Sequence, residues 1–516
     1  MNVAELAEVS LVRLGERMVL DFDGERFTNR RLLEMARRLH RGLARLGLSK
    51  GDVAALCMAN HPVVYPVFQG IFRTGATAVP VMFLLAAPEL HYILSDTEAV
   101  GVITDELSLP KVREAVRGLG HVRWIVVRGG SPDPGAAPAE LSLEALLEEA
   151  PLEGLPSIAD DDVAMMMYTS GTTGKPKGAM LTHRNLIASA EAANDAAELE
   201  LWEGPLIGLS AMPMAHIFGV GVMNGGYLVP EHVHGYNVQM AWFDTEGFLR
   251  LIQQHRSTSM VVVPTMLALM LNHPNLDRYD LSSLKQVVSG AAPLPREIAR
   301  AFSDRCGCRI REIYGQTEST GIGSANRVSD AYRPGSAGRA YCNTELAIFD
   351  DEDRPAPRGV RGEIVLRGPA VMKGYHRRPQ ETADTLRGGW LHTGDIGYLD
   401  EEGFLYVCDR KKDLIIRGGE NIYPGQLEEI LYSNPGVQEA AVVGAPDPVF
   451  GEKVVAYVVA RDGLSLSENE LAEFMRTQIS PFKVPSRFVF VDGLPKTLVG
   501  KVLKRELRER AAREAT

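Results

Sequence analysis

The sequence contains few cysteines. Five are scattered along its 516 residues, an odd number without regular spacing. A disulfide framework needs paired cysteines, so this pattern predicts a reducing compartment, the cytoplasm. Cys306 and Cys308 form an isolated C-x-C motif with no second pair. We interpret them as buried thiols rather than as zinc ligands.

A long hydrophobic run is also missing. The longest largely apolar stretch covers 260–271 and contains Pro264. A membrane-spanning helix needs roughly 20 apolar residues, so the sequence predicts no transmembrane segment. The acidic N-terminus lacks the basic start and apolar stretch of a signal peptide.

Positive charge is not in excess. The chain has 55 Lys and Arg against 66 Asp and Glu, a formal charge of −11. Duplex nucleic acid is bound mainly through cationic contacts to phosphate, so we expect no nucleic-acid partner. Hydrophobic residues make up 45% and charged residues 23%, which is typical of a folded globular protein.

Helical periodicity alternates with short Val- and Ile-rich runs along most of the chain. This predicts an α/β fold in which helices cover largely parallel sheets. Short strands between Gly, Pro and Asp turns over 335–408 predict a small β-rich subdomain, and a compact α+β unit follows. We interpret the Gly-, Pro- and Ala-rich stretch 129–139 as a surface excursion between a helix and a strand.

One motif combines hydroxyl residues, glycines and lysines. It runs from Tyr168 to His183 and follows an apolar run that predicts a buried strand. Its N–H and O–H groups can donate to phosphate oxygens, and Lys175 and Lys177 add positive charge. It is not a Walker A loop, because Thr169 and Pro176 stand where that pattern needs Gly and Ser or Thr. A mobile surface loop is the alternative interpretation.

Five further blocks follow in order. They are Ser289–Pro295, Tyr314–Glu318, Gly389–Asp395, Asp409–Pro424 and Pro495–Lys501. With the first motif, they make the chain resemble the adenylate-forming superfamily, which contains acyl- and aryl-CoA synthetases, peptide-synthetase adenylation domains and firefly-type luciferases. The resemblance covers essentially the whole chain.

The resemblance implies a nucleotide site for ATP and AMP. Tyr314 would stack on adenine, Asp395 would accept the ribose hydroxyls beside Arg410, and Glu318 would hold Mg²⁺. The implied nucleotide-binding residues are Thr169, Ser170, Gly171, Thr172, Thr173, Gly174, Lys177, Gly290, Ala291, Ala292, Tyr314, Gly315, Gln316, Thr317, Asp395 and Arg410. Many acyl-CoA synthetases have Met where Gln316 stands, which leaves the substrate subclass open.

The resemblance also implies two domains and a two-step reaction. Residues 1–409 would form a large N-terminal domain of layered α/β subdomains, and 412–516 a small mobile α+β domain that pivots at Lys412. A carboxylate would attack the α-phosphorus of MgATP, with Lys501 stabilising the transition state. The small domain would then rotate so that coenzyme A, passing Gly418 and Gly419, attacks the acyl-adenylate.

The acid pocket is expected to be apolar. Its predicted residues are His216, Phe218, Val262, Ser289 and Gly290. His216 would border the carboxylate, although a lone histidine is more often structural. The segment 206–240 contains no Lys or Arg, and 208–240 contains no Asp. These gaps disfavour dicarboxylic and amino acids, and the small Gly290, Ala291 and Ala292 favour a medium- or long-chain fatty acid.

Several functions remain open alongside a fatty-acid–CoA ligase. One is an aryl-acid–CoA ligase of the benzoate or coumarate type, and another is a stand-alone enzyme that loads a carrier protein. A non-catalytic nucleotide-binding regulator is disfavoured, because Lys501, Glu318 and Asp395 are all intact. The sequence leaves oligomeric state open, including a homodimer.

Overall fold

A computed structural model describes residues 1–169, 175–461, 463–464, 466–497 and 500–515 of the chain. Its α-helices are α1 (Val3–Leu14), α2 (Asn29–Arg45), α3 (Val64–Thr74), α4 (Ala87–Thr97), α5 (Leu109–Ala115), α6 (Leu143–Leu147), α7 (His183–Ala196), α8 (Ile217–Tyr227), α9 (Thr245–His255), α10 (Pro264–Leu271), α11 (Arg296–Cys306), α12 (Pro379–Thr385), α13 (Pro424–Tyr432), α14 (Glu468–Arg476) and α15 (Lys504–Ala515).

Its strands are β1 (Met18–Phe22), β2 (Glu25–Thr28), β3 (Val53–Cys57), β4 (Thr77–Pro80), β5 (Gly101–Asp105), β6 (Trp124–Arg128), β7 (Ala139–Ser142), β8 (Val163–Thr169), β9 (Lys177–Thr182), β10 (Leu206–Ser210), β11 (Gly235–Gln239), β12 (Ser259–Val262), β13 (Gln286–Ser289), β14 (Arg309–Tyr314), β15 (Ser324–Ala325), β16 (Arg339–Ala340), β17 (Glu345–Phe349), β18 (Gly362–Arg367), β19 (Gly374–Tyr375), β20 (Leu391–Leu399), β21 (Leu405–Arg410), β22 (Ile415–Arg417), β23 (Glu420–Ile422), β24 (Val437–Asp447), β25 (Gly451–Ala460) and β26 (Arg487–Phe490).

Two large sheets form the N-terminal part of the molecule. One has eight strands in the order β19-β9-β8-β4-β3-β5-β6-β7, and the other has nine in the order β16-β15-β14-β13-β12-β10-β11-β1-β2. The pairings from β8 to β7 and from β14 to β1 are parallel. The predicted α/β layers are therefore confirmed. Strands buried on both faces explain the continuous Val and Ile runs.

Two smaller sheets follow. Strands β17, β18, β20 and β21 form an antiparallel sheet, as the turn-rich texture of 335–408 predicts. Strands β22 to β26 form a separate five-stranded sheet beside α13, α14 and α15. Each of these two sheets has its own buried apolar cluster, which accounts for the change of sequence pattern after residue 409.

The structure corrects one connection. The stretch 129–138 joins two parallel strands, β6 and β7, rather than a helix and a strand. The sequence pattern missed β7 because it has only four residues and follows many Gly and Pro residues. Among the described residues, none of the helices is long and apolar enough to cross a membrane.

Helix α1 packs on α3 and neutralises a buried charge. Arg73 is fully buried, and its Nη1 lies 2.9 Å from Glu8 Oε1. Gln69 Nε2 donates to the Val3 carbonyl oxygen at 3.2 Å, and the Val3 N–H donates to His183 Nδ1 at 3.2 Å. The first helix is therefore part of the core.

Candidate active site

The predicted phosphate motif joins two antiparallel strands. Strand β8 ends at Thr169 and β9 begins at Lys177, and these two residues pair in the register of the hairpin. The predicted residues between them, Ser170, Gly171, Thr172, Thr173 and Gly174, lie outside the described part of the chain. The structure therefore describes only the parts of this motif on either side of 170–174.

Glu318 lies beside Thr169, at the end of β8. Thr169 Oγ1 donates to Glu318 Oε1 at 3.3 Å, and Tyr375 OH donates to the same oxygen at 2.8 Å. Burial, followed by the Glu318 carboxylate, raises the pKa of Tyr375 above its usual range. Lys177 lies 5.4 Å from the centre of the Tyr375 ring. None of the described residues donates a hydrogen bond to Glu318 Oε2.

Asp395, Tyr314 and Arg410 form the predicted ribose group. Strands β20 and β21 place Asp395 opposite Arg410, whose Nε lies 3.0 Å from Asp395 Oδ1. Tyr314, at the end of β14, donates its OH to Asp395 Oδ2 at 2.8 Å. Burial and the adjacent Asp395 raise the pKa of Tyr314 well above its usual value. The carboxylate therefore contacts a guanidinium through one oxygen and a neutral phenol through the other.

Small residues close the floor of this group. A Cβ on Gly290 would lie 2.7 Å from Ile313 Cγ1, and a Cβ on Gly315 would lie 2.4 Å from the Gly321 carbonyl oxygen. Packing alone thus requires glycine at both positions. Ala291 and Ala292 follow in the same loop, and Gln316 and Thr317 lead to Glu318. Ser289 Oγ is buried and has no hydrogen-bond partner among the described residues.

Lys501 reaches this group from the C-terminal part of the chain. Burial, and after it the charge of Arg410, lower the pKa of Lys501, Asp395 opposes them, and the net value is about 8. The preceding residue, Gly500, accepts a hydrogen bond from Thr265 Oγ1 at 3.0 Å through its carbonyl oxygen. This contact with the start of α10 holds the lysine against the large sheets.

His216 lies near Lys501 and caps a helix. Its Nδ1 accepts from the Phe218 N–H at 3.2 Å at the start of α8. Burial, and secondarily the charge of Lys501, lowers the pKa of His216 to about 4. Phe218 is half-buried and Val262 is buried. The histidine is therefore neutral near pH 7 and adds no charge beside Lys501.

Residues 8–376 match the family described as AMP-binding enzyme, and residues 426–501 match the AMP-binding enzyme C-terminal domain. The chain belongs to the AMP-binding enzyme family. The resemblance to adenylate-forming acyl-CoA synthetases is thereby confirmed.

Relatives of this AMP-binding enzyme are named as CoA ligases and synthetases. A long-chain-fatty-acid–CoA ligase from Bacillus subtilis (strain 168) is 36% identical over 97% of this chain and 93% of the relative. A feruloyl-CoA synthase from Amycolatopsis sp is 38% identical over 94% of each chain. Both alignments cover nearly the full length of this chain and of the relative, so the similarity includes the C-terminal part.

Solved structures agree on the fold. The anthranilate CoA ligase AuaEII, solved in complex with anthranoyl-AMP, superposes with a TM-score of 0.91 at 28% identity over 100% of this chain and 98% of the other. ATP-bound MatB from Rhodopseudomonas palustris gives 0.88 at 29% identity over 99% of each.

The predicted coenzyme A glycines lie apart from the buried cluster. Gly418 and Gly419 form the exposed turn between β22 and β23, with φ of +59° and +86°. A Cβ on Gly418 would lie 3.5 Å from the ring of Phe450, which is exposed, and Arg417 lies over that ring. Lys412 is exposed in the short 3₁₀ turn that follows β21.

Tyr375 and Thr265 were missed by the sequence analysis. Tyr375 is 57 positions from Glu318, and Thr265 is 235 positions from Gly500. No local pattern marks such contacts. The only sequence signal for Tyr375 was a tyrosine directly after Gly374, a common pair that carries little information.

One cluster resembles a metal site but is already neutralised. Asp353, Glu363 and His392 bring their ligating atoms within 4.8 Å of one another. Arg387 pairs with Asp353 at 2.8 Å and with Glu363 at 3.3 Å. Because a guanidinium occupies the position of a cation, we interpret this cluster as an ion-pair network.

Proposed function

We propose that the chain is an AMP-forming ligase that joins a carboxylic acid to coenzyme A through an acyl-adenylate. The observation that carries this proposal is the position of Lys501 beside Asp395 and Arg410, with neutral His216 near it. A carboxylic acid, ATP and coenzyme A would be the substrates.

In the first step, Asp395 and Arg410 would hold the ribose, and Lys501 would lie across the α-phosphate and the attacking carboxylate. Its cation stabilises the negative charge that develops in the transition state. Proximity and charge account for the step, and no protein nucleophile is required.

Glu318 would hold Mg²⁺. A carboxylate is a ligand that Mg²⁺ prefers, and Glu318 Oε2, to which none of the described residues donates, fits this role. When bound, the ion would neutralise charge on the phosphates. Thr169, Tyr375 and the backbone of the 3₁₀ turn Thr317–Ser319 would orient the carboxylate toward it.

In the second step, the part of the chain beyond the hinge would rotate. We propose domains of 1–409 and 412–516 with a hinge near Lys412. Support comes from the exposed turn of Gly418 and Gly419, which lies outside the Lys501 cluster and next to the aromatic Phe450 and cationic Arg417. Rotation would exchange the lysine for this turn at the acyl carbon.

We favour a medium- or long-chain fatty acid as substrate. The apolar residues around His216, the absence of Lys, Arg and Asp from 208–240, and the Bacillus relative support this choice. An aryl acid is the second candidate, supported by the feruloyl-CoA synthase relative and by the anthranilate ligase structure. The five free cysteines support a cytoplasmic location.

Pyrophosphate release with MgATP tests the proposal. The panel would contain fatty acids of increasing length plus benzoate and cinnamate types, with and without coenzyme A. We expect CoA-dependent turnover that peaks on one fatty acid and is lost in Lys501→Ala, while ATP binding persists. A peak on an aryl acid would replace the substrate. No turnover with any acid would leave carrier loading or regulation.

A further inference from the structure

A second polar network lies outside the nucleotide cluster, against the hairpin of β8 and β9. At its centre is Asp96, near the end of α4. Tyr168 OH donates to Asp96 Oδ2 at 2.6 Å, and Arg378 Nη2 lies 3.0 Å from Asp96 Oδ1. The Asp96 side chain is 12% exposed. Both carboxylate oxygens are thus committed to different elements.

Tyr92 extends this network to the other strand of the hairpin. It precedes Asp96 by four residues, so the two side chains share one face of α4. Its OH donates to the Pro176 carbonyl oxygen at 3.1 Å and accepts from Arg378 Nη2 at 3.2 Å. Helix α4 therefore holds the residues just before and just after the segment 170–174.

Arg378 links the network to Glu318. It follows Tyr375 by three residues, and Tyr375 donates to Glu318 Oε1 at 2.8 Å. Between them, the His376 N–H donates to the Gly178 carbonyl oxygen at 2.8 Å, which fixes this segment on β9. The contacts close a ring through Tyr168, Thr169, Glu318, Tyr375, Arg378 and Asp96.

We propose that Asp96 is a positioning residue for the phosphate end of ATP. It acts through Tyr168 on Thr169, and through Arg378 and Tyr375 on the Glu318 carboxylate. The proposal rests on the function proposed above. A carboxylate is required because both of its oxygens accept, one from a phenol and one from a guanidinium. An asparagine offers one acceptor and turns its amide donors toward another donor.

Asp96→Asn tests the proposal in the ATP–pyrophosphate exchange assay. We expect the KM for ATP to rise about tenfold or more, because a charge-assisted contact is lost and a donor is left unpaired. The KM for the acid should stay unchanged. The rate of thioester formation from supplied acyl-adenylate and coenzyme A should also stay unchanged, because pyrophosphate has left by then.

Glu98→Gln is the matched control. Glu98 lies two residues beyond Asp96 and pairs with Arg377 at 2.7 Å, but both side chains are exposed. The Glu98→Gln change removes one carboxylate at the same end of α4, opposite the same segment that contains Arg378. We expect wild-type values for both half-reactions.

Equal losses in both half-reactions, or an unchanged KM for ATP, would overturn the proposal. Where Asp96→Asn does not fold, Tyr168→Phe and Tyr92→Phe carry the test, with a smaller rise of about threefold expected for each. Wild-type exchange activity tests the ligase function separately. If wild type shows none, calorimetry of MgATP binding to wild type and Asp96→Asn still decides whether Asp96 acts on the phosphate end.

Discussion

Lys501 is a cation held among other charges in a buried position. Burial and Arg410 disfavour its charged form, whereas Asp395 favours it, and the net effect is a pKa of about 8. An ordinary lysine would stay fully charged over the whole physiological range. Burial of this charge therefore brings the pKa of Lys501 close to neutral pH.

We predict that adenylation by the free enzyme falls as pH rises through about 8. Lys501 is protonated below that pH, and only the protonated form stabilises the transition state, so kcat/KM is lost on the alkaline side. The measurement is kcat/KM for pyrophosphate release between pH 6 and 10. Lys501→Arg should remove the fall, since arginine stays charged. An unchanged alkaline fall in that variant would assign the titration to another group.

His216 caps α8 and is proposed to border the acid, and two variants separate these roles. His216→Ala removes the N-cap of α8 and should cost about 1 kcal/mol of stability. His216→Asn restores an acceptor for the Phe218 N–H. We expect Asn to recover resistance to urea but to leave adenylation reduced about tenfold or more, because no imidazole borders the acid. Full recovery of adenylation in His216→Asn would make the histidine structural.

At the scale of elements, periodicity predicted the long helices and the buried parallel strands. Helix α9, whose apolar residues recur at helical spacing, and strand β12, which is a continuous apolar run, are examples. It did not mark α8, where Gly219, Gly221, Gly225 and Gly226 interrupt the pattern. Glycine disfavours an isolated helix, so tertiary packing of α8 against α7 outweighs local propensity.

The turn before Lys501 is expected to be sensitive to one methyl group. Gly500 has φ of +76°, and a Cβ there would lie 2.9 Å from Thr265 Oγ1. We predict that Gly500→Ala lowers adenylation about tenfold or more, because the lysine is displaced. Thioester formation from acyl-adenylate should be retained. The measurement compares the two half-reactions.

Gly463→Ala controls for backbone strain in that experiment. Gly463 has φ of +77°, but a Cβ there meets nothing within 4 Å. It should share the strain of a left-handed alanine and keep both half-reactions. Similar losses in the two variants would attribute the effect to strain rather than to the contact with Thr265.

For the whole molecule, few described polar contacts join the large sheets to the C-terminal unit. Arg296 Nε lies 2.7 Å from Glu429 Oε1, with the two side chains 53% and 46% exposed. Thr265 binds the Gly500 carbonyl, and Arg461 Nη1 lies 3.3 Å from Asn272 Oδ1. Exposed ion pairs contribute about 0–1 kcal/mol each, so this arrangement fits the rotation proposed above.

Lys412→Pro is predicted to separate the two steps. Lys412 lies in a 3₁₀ turn, whose φ is close to that of proline. The rotation proposed above would change the φ of residue 412, which proline forbids. We expect adenylation to persist and thioester formation to fall about tenfold or more. Lys412→Ala should leave both steps intact; equal loss in both steps would place the hinge elsewhere.

The candidate-site residues that belong to contiguous sequence motifs could be predicted from the sequence. Tyr314, Asp395, Arg410 and Lys501 were all expected, and the structure brings them together from two different sheets and the loop before α15. The partners that orient them were not predictable. Asp96, Thr265 and Tyr375 act across long sequence separations, and a single sequence contains no local signal for such contacts.

Helix α1 links the lifetime of this protein to its first residues. Proteolytic loss of this helix would remove Glu8 and leave the buried Arg73 guanidinium with only the Leu152 and Glu153 carbonyl oxygens as partners, and breaking a buried ion pair costs roughly 3–5 kcal/mol. The total free energy of unfolding of a folded protein is only about 5–15 kcal/mol, and cells degrade chains that unfold more often. A single cut far from the reacting atoms would thus determine how long the molecule survives.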